Sequence, residues 1–167
     1  KKASLAKSGS NYLEQHEDKV IVISGSGNFS YFEKNSLNKD NFKKNIIDTN
    51  IKDFILYDDF YINSKFGIKD VFISKDKIYF SYIKEVEKDC FNTSVARAEL
   101  NFDKLIFDDF FTSSECINSN LKSFQPHSSG GRLFSFGNNQ CRSLYVRKNG
   151  LKLKESHSTF FRPRSFL

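Results

Sequence analysis

Between Lys69 and Phe111 the chain is cut into short β-prone runs by turn residues at nearly even intervals. This rhythm constrains the fold more than any other feature. Asp70-Val-Phe-Ile-Ser74 stops at Lys75-Asp76-Lys77, and Ile78-Tyr-Phe-Ser-Tyr-Ile83 follows. A loop bearing Cys90 leads to Thr93-Ser-Val-Ala-Arg-Ala-Glu-Leu100, which alternates from Val95. Asn101-Phe102-Asp103-Lys104 turns the chain again, and Leu105-Ile-Phe-Asp-Asp-Phe-Phe111 makes a fourth run. Each run is too short for a helix, and Ile78–Ile83 alternates in its second half as a strand with one buried face does. Composition agrees: 19 Phe and 7 Tyr, with no Trp and no Met, favour pleated, half-buried surfaces.

Upstream, Lys19-Val-Ile-Val-Ile-Ser24 predicts a strand closed by Gly25-Ser26-Gly27, and Asn28 to Phe32 predicts its hairpin partner. Residues 33 to 52 are polar and predict a loop with one helical turn, and Asp53 to Tyr57 predicts a short strand. After a loop from Thr112 to Gly130, Arg132 to Phe136 predicts another strand. The fold class is therefore all-β. Four antiparallel strands in this rhythm match one propeller blade, and a β-sandwich shows the same short strands and turns. Period alone leaves both open.

The 167 residues suffice for one domain of ordinary size. The net charge of +6 is unevenly placed. Residues 141 to 167 hold seven Lys or Arg and one acid, Glu155, so the remaining 19 basic and 19 acidic residues cancel over residues 1 to 140. Basicity confined to a tail, with no basic, aromatic-interleaved motif, argues against a nucleic acid partner. No run of about 18 apolar residues is present to span a membrane. The first residue is Lys1 rather than Met, which leads us to expect a processed form or a fragment.

Cys90, Cys116 and Cys141 form no C-x-x-C pair, so no zinc site and no metal site is expected. Cys90 and Cys116 each sit among turn residues and could bridge neighbouring turns in an oxidising compartment; two independent thiols are the alternative. Asp58-Asp59 and Asp108-Asp109 are paired acids at strand ends, but adjacent strand residues point to opposite faces, which suits neither pair to a shared cation. Ser24-Gly25-Ser26-Gly27 lacks the Lys and the helix of a phosphate loop. Asn28-Phe-Ser30 and Asn92-Thr-Ser94 fit glycosylation sequons.

The chemistry-bearing segment is Pro126-His127-Ser128-Ser129-Gly130-Gly131-Arg132-Leu133-Phe134. It places an imidazole, whose pKa lies close to working pH, before a small-residue loop that leads into a strand. Arg132 follows two glycines and its fork suits a carboxylate. His16 and His157 stand alone in polar stretches and read as solvated. The alternative for His127 is a surface histidine without a role.

The order of these segments resembles the glucose/sorbosone dehydrogenase family, the soluble quinoprotein sugar dehydrogenases. The residues that carry the resemblance are Gly67-Ile-Lys-Asp-Val-Phe-Ile, Ile78-Tyr-Phe-Ser-Tyr82, Thr93-Ser-Val-Ala-Arg-Ala-Glu-Leu100 and His127-Ser-Ser-Gly-Gly-Arg-Leu133. It covers roughly Asp53 to Asn139, and the histidine-to-leucine run is its most specific part. The resemblance implies a six-bladed β-propeller with pyrroloquinoline quinone (PQQ) over the central channel and calcium holding the quinone. It implies that His127 is the general base, taking a hydroxyl proton of a sugar or polyol while hydride passes to the quinone. Two positions depart from the family pattern. Ser64-Lys65-Phe66 precedes Gly67 where an acid or amide is common, and Pro126 precedes the histidine where Asp is common.

On this reading residues 1–140 form a partial six-bladed β-propeller of about three four-stranded blades, ring incomplete, at about 45 residues per blade. The family's expected apolar strand ending in Gly-Asp does not follow Asn138-Asn139-Gln140, so residues 141–167 read as a basic tail, unrelated or out of frame. The other cofactor ligands would lie in later blades. The chain alone is expected to be inactive, its parent a periplasmic or secreted oxidoreductase. A non-enzymatic propeller that binds carbohydrate or protein is the alternative, and a small β-sandwich binding module is a third reading.

Overall fold

A computed structural model describes residues 11–38, 43–55, 67–122, 131–135, 141–147, 150–156 and 161–165. All the regular structure described is strand apart from two single 3₁₀ turns, Lys34–Ser36 and Ile51–Asp53. The strands form open sheets rather than one closed surface.

The first sheet begins with three antiparallel strands, β1 (Asn11–His16), β2 (Lys19–Ser24) and β3 (Phe29–Glu33). β4 (Asn45–Thr49) adds antiparallel to β3. The sequence left β1 unread and placed β4 inside a polar loop. Alternation explains the second miss. Of Asn45–Thr49 only Ile47 is buried, while Ile46 lies 77% exposed, so a single inward apolar side chain marks the strand. The expected strand at Asp53–Tyr57 is corrected: Ile51–Asp53 is a 3₁₀ turn and residues 54–55 are not in a strand, the rest lying outside the described residues. The turn is held by Asp53 N–H donating to the Asn50 carbonyl and Phe54 N–H to that of Ile51, both at 3.0 Å.

The second sheet is the unit whose rhythm the sequence displays. β5 (Asp70–Ser74), β6 (Lys77–Glu87) and β7 (Cys90–Glu99) form an antiparallel meander. The expected fourth strand, Leu105–Phe111, is two strands. β8 (Lys104–Leu105) pairs parallel with β4, completing the first sheet, and β9 (Asp108–Thr112) returns to pair with β7. Asn50 extends the β4–β8 pairing with its side chain. Its Nδ2 donates to the Phe107 carbonyl at 3.0 Å and its Oδ1 accepts the Phe107 N–H at 2.8 Å. β10 (Ile117–Asn118) adds to the start of β7. In the third sheet β11 (Gly131–Ser135), β12 (Cys141–Arg147), β13 (Gly150–Ser156) and β14 (Phe161–Ser165) pair in chain order, all antiparallel.

The core lies between the first two sheets. β6 presents Ile78, Phe80 and Tyr82 on one face, and β7 sets small residues opposite them: Ala98, Ala96 and Ser94 in register. Large against small lets the rings lie over the neighbouring strand at interior packing density. Ile21, Ile23, Phe29 and Ile47 come from the first sheet, joined by Leu105 and Phe107. Phe80 packs edge-on to Phe107, ring centres 4.7 Å apart, and to Phe54 at 5.9 Å. The Gly25–Gly27 turn touches this core too. Gly27 has φ +88°, and a Cβ there would lie 2.6 Å from Ile51 Cγ1. That combination of handedness and space admits only glycine without strain.

Candidate functional site

Residues 123–130, and with them His127, lie outside the described residues. Four residues after His127 the chain enters β11, whose surroundings are described. β11 is the first strand of its sheet and has β12 on one side only. On the other side a carboxylate takes a backbone donor: Leu133 N–H donates to Asp70 Oδ2. Leu133 is buried. An edge-strand N–H left unpaired in such a position would cost its full desolvation.

Asp70 opens β5, directly opposite Ser81 of β6. Both point away from the Phe80 face, as strand alternation requires. The backbone beside them is fixed by Lys69 N–H donating to the Ser81 carbonyl at 2.8 Å and Ile68 N–H to that of Gly25 at 2.9 Å. Tyr12 of β1 donates its hydroxyl to the Ile68 carbonyl at 2.8 Å, tying the first sheet to the start of β5. Ser81 is fully buried and its Oγ has no hydrogen-bond partner among the described residues.

Two carboxylates, Glu14 and Asp70, come close enough at this junction to repel each other, and Lys69 is half-buried beside it. Burial raises the Glu14 carboxyl above its ordinary pKa, and the Asp70 charge raises it further. Burial lowers Lys69 to about 8. Such an amine is partly neutral in mildly alkaline solution and can accept a proton there. No motif or spacing marks Glu14, Lys69 or Asp70 in the sequence. The available signal was the charged pair Lys69-Asp70 at the head of an otherwise apolar strand.

The other sequence candidates separate in space. Cys90 and Cys116 are joined in a disulfide with Cα atoms 5.4 Å apart, tying the start of β7 to the residue before β10. Cys90 opens a strand rather than lying in a loop. Asp108 pairs with Arg97, Oδ2 to Nε 3.5 Å, and the Arg97 guanidinium lies 5.0 Å from the centre of the Phe110 ring. Asp109 accepts from Lys84 Nζ and, at 2.7 Å, from the buried Tyr82 hydroxyl. Burial alone would raise the Asp109 pKa; those two donors hold it below the ordinary value. Burial, then the bond to Asp109, pushes the Tyr82 phenol well above its ordinary value. The two aspartates thus serve separate pairs.

Ser24 and Ser26 are buried with their hydroxyls 2.8 Å apart, and both bond Asn28, which closes this turn on itself. Asn92 is 8% exposed and its Nδ2 donates to the Ser113 carbonyl, so the second sequon offers no accessible amide. His16 is half-buried, its ring 6.3 Å from that of Phe102, rather than solvated. His157 and Asp58-Asp59 lie outside the described residues. Among the described residues no three His, Cys, Asp or Glu side chains gather to hold a metal ion, and no helix is long and apolar enough to cross a membrane. No protein-family model, curated protein or solved structure matches the chain.

Proposed function

We propose that the chain is part of a quinone-dependent sugar or polyol dehydrogenase of the glucose/sorbosone type, with its sheets as blades of a six-bladed β-propeller and His127 as the general base. One observation carries the reading. The His127-Ser-Ser-Gly-Gly-Arg-Leu133 run ends within β11, the first strand of an antiparallel sheet that follows a five-stranded antiparallel sheet. The Cys90–Cys116 disulfide supports an oxidising compartment, periplasmic or extracellular.

The described residues do not fit the implied calcium. Asp70 is engaged with Leu133 N–H, Asp108 with Arg97, and Asp109 with Lys84 and Tyr82. None of the described residues is assigned to PQQ either. The proposal therefore rests on the proton chemistry of His127: a neutral imidazole takes the proton of the hydroxyl being oxidised, a role worth 10²–10⁴-fold in rate.

The test is dye-linked sugar oxidation, with PQQ and calcium supplied, by a protein carrying all six blades, beside its His127→Ala version. Loss of turnover by about 10²-fold or more is expected. Equal turnover would remove His127 from the reaction. Sugar binding without turnover in either protein would favour the non-enzymatic propeller.

A further inference from the structure

We propose that Tyr31, Phe102 and His16, with Asp18 and Glu33, form a binding site for a small alkylated ammonium ion, and that the chain's own Lys19 fills this site when no such ion is bound. The site lies at one end of the inward face of the first sheet. There the register sets His16 of β1, Lys19 of β2 and Glu33 of β3 in one row, with Tyr31 on the same face of β3. The turn between β7 and β8 brings Phe102 against them. Its ring centre lies 5.0 Å from that of Tyr31, edge-on, and 6.3 Å from that of His16. Lys19 Nζ sits among these groups, 5.2 Å from the centre of the Phe102 ring and 6.0 Å from that of Tyr31. Two carboxylates reach the same nitrogen, Asp18 at 3.0 Å and Glu33 at 3.7 Å. A simple ion pair needs only one acid and no rings. Ring faces carry the negative part of the aromatic quadrupole, and several of them converging on one positive nitrogen is the arrangement that recognises quaternary ammonium. Such faces suit N-methyl groups, while the two carboxylates attract the charge and repel any ligand that carries an acid of its own. The mouth of the site is open to solvent: the Lys19 side chain is 23% exposed, and those of Asp18 and Glu33 are more so. A tethered lysine competes at an effective concentration on the order of millimolar, so an outside ligand enters by displacing it.

The experiment titrates choline into the unaltered chain and into its Lys19→Ser variant at matched ionic strength, following the ring resonances of Tyr31 and Phe102. The alcohol in which carbon replaces the nitrogen of choline serves as the uncharged isostere. Choline should shift both rings saturably, with an affinity about tenfold or more higher in Lys19→Ser, where the tethered competitor is gone. Adding Phe102→Leu to Lys19→Ser should weaken binding about threefold or more, and the uncharged alcohol should give no saturable shift. Where Lys19→Ser does not fold, Lys19→Gln, which keeps much of the aliphatic stem without the charge, carries the same comparison. No saturable shift in a folded Lys19 variant would overturn the site. Equal binding of choline and the alcohol would reduce it to an apolar cleft and overturn the ammonium claim. Equal choline affinity with and without Lys19 would overturn its role as the resident occupant.

Discussion

Reducing the Cys90–Cys116 disulfide should destabilise the fold by an amount calculable from its span. The two residues are 26 apart in sequence. Opening the bond frees a loop of that length in the unfolded chain, and the loop-closure relation gives about 12 cal/mol/K, or about 3.5 kcal/mol at 25 °C. In the native state the bond joins elements already held by other contacts. Ile117 and Asn118 pair with Phe91 and Cys90, and Ser119 N–H donates to the Asp89 carbonyl at 2.8 Å. The native geometry therefore survives reduction, and the whole effect should fall on the unfolded state. With a urea m-value of about 2 kcal/mol/M, the midpoint moves down by about 1.7 M. The assay is urea unfolding of the oxidised protein beside the Cys90→Ser, Cys116→Ser double variant. A shift smaller than about 0.5 M, about 1 kcal/mol on that m-value, would refute the argument that this bond acts by constraining the unfolded chain.

Three further outcomes follow from the packing. Asn50→Ala should cost about 1–3 kcal/mol, because it strips partners from both the N–H and the carbonyl of buried Phe107; thermal unfolding reads this, and a cost under 0.5 kcal/mol would contradict it. Gly27→Ala should cost more than about 1 kcal/mol through its left-handed φ and the 2.6 Å approach to Ile51; combining it with Ile51→Ala should be less than additive in denaturant melts. The Glu14 carboxyl is raised in the folded state, so its contribution to stability is fully present below the unfolded pKa and is lost as pH rises through the folded one. Glu14→Gln should therefore be relatively more stable at pH 7 than at pH 4 when each is compared with the parent by urea midpoint; an equal difference at both pH values would count against the burial of that charge.

The second sheet was legible because its strands obey local rules. β5 has the bounds the sequence predicts, and Lys75-Asp76 turns the chain into β6. Residues whose partners lie far away were not legible. β4 shows one inward apolar residue, and its stability comes from β3 on one side and a two-residue parallel partner on the other. Leu105 to Phe111 reads as a single strand, yet it divides because Leu105 and Phe107 are drawn into the core beside the first sheet while Asp108 begins the return to β7. No spacing rule reveals that division. For the site, sequence spacing drew attention to His127, whereas the carboxylate that holds the adjoining strand comes from Asp70. Nothing in the identity of one aspartate among many announces a bond to a backbone 63 residues on.

The parallel pairing of β8 with β4 has a consequence for how the chain comes into being. The first sheet takes four of its strands from residues 11 to 49 and its fifth from Lys104–Leu105. During synthesis the ribosome must therefore deliver the whole β5–β6–β7 meander before the opening sheet can receive its last strand. Until then the outer edge of β4 is open, and Leu105 and Phe107 are missing from the shared interior. The nascent chain spends the interval needed to make some 50 residues, a few seconds at typical elongation rates, with an unsealed edge. A holding chaperone would have a window on this protein there, which closes once Leu105 and Phe107 have emerged and β8 has paired with β4.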